Sequence, residues 1–151
     1  MNGDAHDSIE LERLARRHAL LQRQAERTPA TDPSAVLELG ASVLVHRGLQ
    51  VASAVRSLSW LDPAVLARVG EEQDQLGQDL ELLRELLESV PGSADAIVLA
   101  GALLDRLRQH LHHDERVLQR PLQRLLALGA TPATPGAHPG GRQTSRRGEA
   151  S

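Results

Sequence analysis

Polar side chains that can do chemistry crowd together between His110 and Glu115, inside a leucine-rich pattern that is typical of a helix. The segment contains His110, His112, His113, Asp114 and Glu115. Such imidazole and carboxylate groups can ligate a metal ion, form a buried hydrogen-bonded network, or face water. His110 and Asp114 are four residues apart, so on a helix they lie on one face, one turn apart. This spacing suits a shared metal ion held without sulfur, such as iron, manganese or zinc.

Long helices with short connections are predicted to position these residues. Asp7 with Glu10 predicts a capped helix start, and Asp32-Pro33, Asp62-Pro63 and Ser93 predict three more. The predicted helices are A (8–27), B (33–58), C (63–90) and D (94–128), with Pro121 expected to kink the last turns of D. Residues 1–7 are predicted to be a disordered N-terminus, and residues 129–151 a disordered tail rich in Pro, Gly and Arg.

The composition predicts an all-α domain. Trp60 is the only aromatic residue among 151, so the core must be built from Leu, Val and Ala, which favours helices over a β-sandwich. Short connections predict an antiparallel up-down-up-down four-helix bundle over residues 8–128. Helix middles then come to the same height and form one polar layer between two leucine layers. That layer is predicted to contain His18, His46, Glu72 or Gln73, His110 and Asp114.

These motifs resemble the hemerythrin-like (HHE cation-binding) domain, a four-helix bundle that holds non-haem iron. The segment from His110 to Glu115, followed by Pro121, is similar to the family's last-helix HxxxEE pattern with its proline. His46 and Gln50 stand where the family has its second-helix HxxxE. The resemblance covers roughly residues 8–128 and implies an iron site at mid-bundle.

The metal-ligand set departs from the family pattern at several positions. Gln50 stands where a carboxylate usually bridges two irons, and Gln73 stands where the third helix often supplies a histidine. Asp114 is one methylene shorter than the usual glutamate, and Pro121 falls one residue late. His18 matches the first-helix histidine. The resemblance therefore implies at most one ion, held by His18, His46, His110 and Asp114.

Two functions follow as alternatives. The first is a protein that binds a non-haem metal ion, most simply iron, and through it binds or senses a small ligand such as dioxygen, or stores the metal. The second is a bundle without metal that acts as an interaction or regulatory module, as a homodimer through a spare apolar stripe on helix B that includes Leu44. We expect no enzymatic activity, because no catalytic triad, phosphate loop or supported acid–base pair is found in the sequence.

Charge and hydropathy limit the other partners. The formal net charge of −3 argues against nucleic acid. No apolar run approaches the roughly 18–20 residues that a membrane span needs, and the acidic N-terminus is unlike a signal peptide. The chain has no cysteine, which excludes thiolate metal sites and disulfides. The expected location is the cytoplasm.

Overall fold

All the regular structure is helical in the computed structural model, which describes residues 3–130. In chain order the elements are α1 (Gly3–Arg27), α2 (Pro33–Ser57), α3 (Pro63–Ser89), α4 (Ala94–Asp114), a π-helical turn (Glu115–Gln119) and α5 (Arg120–Ala130). The described residues contain no strand, so the predicted all-α class is confirmed. None of the helices in this range is long and apolar enough to cross a membrane. The predicted disordered tail lies almost entirely outside the described residues.

The starts of α2, α3 and α4 were correctly predicted from their capping residues. The side chains of Asp32, Asp62 and Ser93 each accept a hydrogen bond from a backbone N–H of the first turn, at 3.1, 2.9 and 3.1 Å. Proline occupies an early position of α2 and α3, where the helix leaves backbone N–H groups unpaired in any case. These local interactions explain why short sequence signals were sufficient here.

Helix α1 begins at Gly3, five residues before the predicted start. Asp7 therefore lies within the helix and does not cap it. Glu10 accepts hydrogen bonds from Arg56 of α2 at 3.0 and 3.1 Å, so it belongs to a contact between helices. No proline or glycine lies between residues 4 and 8 to end the helix earlier.

The helices pack around two apolar clusters separated by polar side chains. Helices α2 and α4 contact each other and both contact α1 and α3, whereas no Cα atom of α1 lies within 8 Å of one of α3 in the described residues. The larger cluster includes Leu21, Val43, Leu76 and Leu111. The smaller one is built from Leu11, Leu14, Ala54, Leu58, Val69, Leu118 and Leu122. The predicted polar layer between two apolar layers is therefore present.

The π-helical turn Glu115–Gln119 separates α4 from α5. Its hydrogen bond from the Arg120 N–H to the Glu115 carbonyl spans five residues instead of the four of an α-helix. Pro121 follows directly and has no N–H to continue the α-helical pattern, so the predicted disturbance at Pro121 takes this form. A π-turn holds one more residue than an α-turn.

Helix α2 buries a different stripe from the one predicted to hold a second copy. The buried stripe contains Val36, Val43, His46, Gln50 and Ala54. Leu44, from the heptad-like stripe, is half-buried and packs against the core of its own chain. The outward face of α2 is therefore not the Leu44 side of the helix.

Candidate functional site

The two histidines predicted on α1 and α2 meet in the interior. His18 is 2% exposed and His46 is completely buried, and their Nδ1 and Nε2 atoms, respectively, lie 3.2 Å apart. Only one proton can lie between two ring nitrogens at this distance, so the contact requires one ring to donate and the other to accept. His46 therefore faces the core and does not point to solvent.

Two glutamines extend this histidine pair into a network. The side-chain amide of Gln50 donates to Gln119 Oε1 at 2.9 Å and lies 3.2 Å from His18 Nδ1. If His18 Nδ1 carries the acceptor lone pair, the N–H groups of Gln50 and His46 both face that single lone pair at 3.2 Å. That assignment puts the His18 proton on Nε2, which lies 3.5 Å from the Glu115 carboxylate. The network favours a neutral His18.

Burial keeps these imidazoles neutral at ordinary pH. Loss of hydration lowers the pKa of His46 to about 4, and the neighbouring His18 and Arg17 add to the effect. Burial also lowers the pKa of His18, although the Glu115 and Asp114 carboxylates oppose the shift. Two adjacent neutral rings avoid the repulsion that two buried imidazolium groups would produce.

A buried arginine accompanies the predicted aspartate. Arg47 Nε lies 2.6 Å from Asp114 Oδ2, Arg47 Nη2 lies 3.3 Å from Asp114 Oδ1, and neither side chain is exposed. Only the approach of Nη2 to Oδ1 is a hydrogen bond, whereas Nε and Oδ2 meet as close opposite charges without hydrogen-bond geometry. Arg47 therefore supplies the positive charge that the buried Asp114 carboxylate requires.

A second carboxylate and two further histidines surround this ion pair. Glu72 Oε2 lies 3.3 Å from Arg47 Nη2 and 3.6 Å from His110 Nδ1, so it bridges α2 and α4. His113 Nδ1 lies 3.7 Å from Asp114 Oδ1. Burial lowers the pKa of His110, Arg47 adds to this effect, and the Glu72 carboxylate opposes it. His110 thus lies beside a cation already bound by two carboxylates.

Glu115 links the interior to a surface groove between α1 and the end of α4. The groove has a volume of about 840 Å³, and its lining includes Gln22, Arg108, His113 and Glu115. The amide of Gln22 donates to Glu115 Oε2, the oxygen that also faces His18. Glu115 was not among the predicted ligands, yet it is the polar group that joins the buried histidines to solvent.

The four predicted ligands do not form one coordination shell in this arrangement. His18 contacts His46, Asp114 contacts Arg47, and His110 faces Glu72. Within residues 3–130 no three His, Asp or Glu side chains are placed to hold a metal ion. Both Asp114 oxygens face the Arg47 guanidinium, which occupies the position beside the carboxylate that a cation would need. The donors therefore do not fit the single iron implied by the family resemblance, and their ligand role stays a prediction.

Sequence reasoning missed two members of the layer. Arg47 lies between Val43 and Gln50 at the 4-3 spacing of the buried stripe of α2. Its burial could therefore have been predicted from its position on the helix. Gln119 is 1% exposed, five residues after Asp114. An α-helical pattern places that position away from the core, and only the π-turn brings it inward.

Comparisons with models of known protein families, with characterised proteins and with solved structures gave no match.

Proposed function

We propose that this chain is an antiparallel, hemerythrin-like four-helix bundle in which an internal arginine takes the place of the metal. On this proposal it is a protein-interaction module of the cytoplasm, with neither enzymatic activity nor a nucleic-acid or membrane partner. The contact between Arg47 and Asp114 carries the proposal. The connections between helices are about four or five residues long, which favours up-down-up-down order.

The Arg47–Asp114 contact matters because a buried cation and a metal ion are alternatives for the same carboxylate. Asp114 gains charge neutralisation from Arg47 at 2.6 Å without any ligand from outside. A divalent ion beside Asp114 would have to displace the guanidinium or remain close to its positive charge, at a high cost in a buried site. Gln50 supports the same view, because it uses its amide to bind Gln119 and His18.

An interaction role is supported by the surface of α2. The side chains of Val45, Leu49 and Val55 are 62%, 49% and 59% exposed on this helix, with Trp60 67% exposed just beyond it. Contiguous exposed apolar residues commonly mark contact surfaces. The proposed module would therefore use the outer face of α2, on the opposite side from the polar layer.

Metal content provides the test. The protein is purified from cells grown with added iron, and bound metals are measured by mass spectrometry. We expect well below one ion per chain, on the order of 0.1 or less, with no change in Asp114→Ala. His112→Ala is the matched control, because His112 is exposed. One iron per chain that is lost in Asp114→Ala but retained in His112→Ala would overturn the proposal.

Binding of a single non-haem iron, with dioxygen or the metal as its cargo, is the second candidate. The observation that favours it is the pair of buried neutral imidazoles, His18 and His46, because neutral imidazole is the form that ligates metals. His18, His46, His110 and Asp114 would have to rearrange around the ion. The same metal measurement decides between the two functions, with His18→Ala and His46→Ala losing the ion under this second candidate.

A further inference from the structure

The outer face of α2 lacks the charges that the outer face of α1 carries. Between residues 39 and 55 the only Asp, Glu, Lys or Arg is Arg47, and Arg47 is buried. On α1, by contrast, Glu12, Arg13, Arg16 and Arg17 are all exposed. A helix that packs on one side only is expected to carry polar residues on the other. The central four turns of α2 therefore have two apolar sides.

The outward residues of α2 follow the spacing of a helix-pairing seam. Ala41, Val45, Gly48, Ala52 and Val55 are separated by four, three, four and three residues. Such a 4-3 repeat keeps one stripe facing a second helix. Four of the five are exposed, and Gly48 is half-buried. Three of them are glycine or alanine, which permits the backbones of two helices to approach closely.

We propose that this seam binds the same seam of a second copy of the chain, with the two α2 helices antiparallel and crossing near Gly48. The proposal rests on the proposed interaction function and names its partner. In this register Val55 of one copy lies opposite Ala41 of the other, and Val45 lies opposite Ala52. Each larger side chain then meets a smaller one, whereas a parallel pair would place Val45 against Val45 and Ala52 against Ala52. A two-fold axis makes both halves of the interface identical.

The ends of the seam carry opposite charges that agree with the antiparallel arrangement. Glu38 is exposed at the start of the seam and Arg56 at its end. In the antiparallel register Glu38 of one copy comes within roughly 3–5 Å, along the helix axis, of Arg56 of the other. Arg56 already binds Glu10 at 3.0 Å, but its side chain is 61% exposed and has further N–H groups to donate. A parallel pair would instead place Glu38 against Glu38.

Single-cysteine variants test the register, since the natural chain has no cysteine. Ala41→Cys and Val55→Cys are prepared separately and mixed, allowed to exchange subunits, oxidised, and run on a non-reducing gel. The mixture is expected to give a disulfide-linked dimer containing one of each variant. Each variant alone should give little, because identical positions lie about 20 Å apart in the antiparallel pair. Cross-linking of each variant with itself, and not with the other, would overturn the register.

Sedimentation velocity tests the interface itself. Val45→Glu places a charge in the seam and is expected to weaken dimerisation at least about 30-fold. Val98→Glu is the matched control, because Val98 is 72% exposed on α4, and it should leave the dimer intact. Circular dichroism on both variants verifies folding.

Outcomes for this inference and for the proposed function are distinct. A natural chain that is free of metal but monomeric at high concentration overturns the homodimer and leaves the interaction module with a different partner. A dimer with the expected cross-links that also binds one iron per chain supports this interface and overturns the metal-free proposal. Equal weakening by Val45→Glu and Val98→Glu would contradict the seam.

Discussion

Arg47 Nε lies 2.6 Å from Asp114 Oδ2 at the centre of the bundle, and both side chains are completely buried. The pair joins α2 to α4 at the height where His18 and His46 also meet. Removing two charges from water is costly, and a close ion pair recovers part of that cost only while both partners remain.

Arg47→Met should lower the free energy of unfolding by about 3–5 kcal/mol, because it leaves the Asp114 carboxylate buried without a cation. The double variant Arg47→Met/Asp114→Leu should recover most of that loss, since no buried charge remains. Urea denaturation followed by circular dichroism measures both. Arg84→Met is the control: Arg84 is paired only at the exposed surface, with Glu81 and Glu88, and its loss should change stability little. A single variant as stable as the natural chain would contradict the role of the pair.

The free energy of unfolding should decrease as the pH is lowered, because His46 is buried as a neutral imidazole. Folding lowers the pKa of His46 from 6.5 to about 4. Between these two pH values His46 is therefore protonated in the unfolded chain and neutral in the folded chain. This group has no effect on stability well above pH 6.5. Its unfavourable contribution grows as pH falls to about 4 and reaches about 3 kcal/mol.

Replacement of His46 tests this dependence. The unfolding free energy of His46→Gln, measured between pH 8 and pH 4, should fall less steeply than that of the natural chain. His112→Gln, at an exposed position, is the control and should keep the natural slope. Identical slopes for His46→Gln and the natural chain would show that the His46 pKa is not lowered by folding.

Gly40 should be intolerant of any side chain. A methyl group at this position of α2 would lie closer to the Leu80 side chain of α3 than van der Waals contact permits. Gly40→Ala is therefore expected to destabilise the fold by about 1–3 kcal/mol. The double variant Gly40→Ala/Leu80→Ala should lose less stability than the sum of the losses in the two single variants.

Gly101 provides the contrast for Gly40. Nothing lies within 4 Å of an added methyl group at Gly101 on α4. Gly101→Ala should therefore stabilise the helix by roughly 0.5–1 kcal/mol. Thermal melts monitored at 222 nm measure all of these variants. Equal effects at Gly40 and Gly101 would contradict the close packing of α2 on α3.

The π-helical turn should tolerate the loss of one residue. Deletion of Arg116, which is exposed, would let residues 115–119 close as an α-helix while Asp114 and Leu118 keep their positions. We expect a folded protein that loses at most about 2 kcal/mol. Deletion of Ala102, exposed in the middle of α4, should rotate every following core residue by about 100° and prevent folding. Circular dichroism and thermal melts compare the two deletions, and equal damage from both would count against the turn.

The parts of the fold that could be predicted are those that depend on residues close together in the sequence. Asp32, Asp62 and Ser93 cap helices through bonds to their own first turns, so a short segment contains all the information needed. The leucine and valine spacing similarly predicted the apolar clusters and the height of His18 and His46. The length of α1 was underestimated, because Glu10 belongs to a contact with Arg56 that sequence spacing does not show.

The candidate site was less predictable, since it depends on which charges meet across helices. His110 and Asp114 share a helix face, but Asp114 turns to Arg47 and His110 to Glu72. An arginine between two apolar turns can point to solvent or into the core, and its neighbours in space decide which. Gln119 was not predicted for a different reason. Its inward position depends on the π-helical turn, which changes the helical phase after Glu115.

The polar layer also divides the bundle into two regions with different numbers of apolar contacts. The smaller cluster holds together Leu11 near one end of the described chain, Leu122 near the other, and Leu58 and Val69 on either side of the α2–α3 connection. With fewer buried apolar side chains, this region can open while the larger cluster stays closed. Backbone amides around Leu11, Leu58 and Leu122 should thus exchange with deuterium sooner than those around Leu76 and Leu104, so unfolding begins at one end of the bundle.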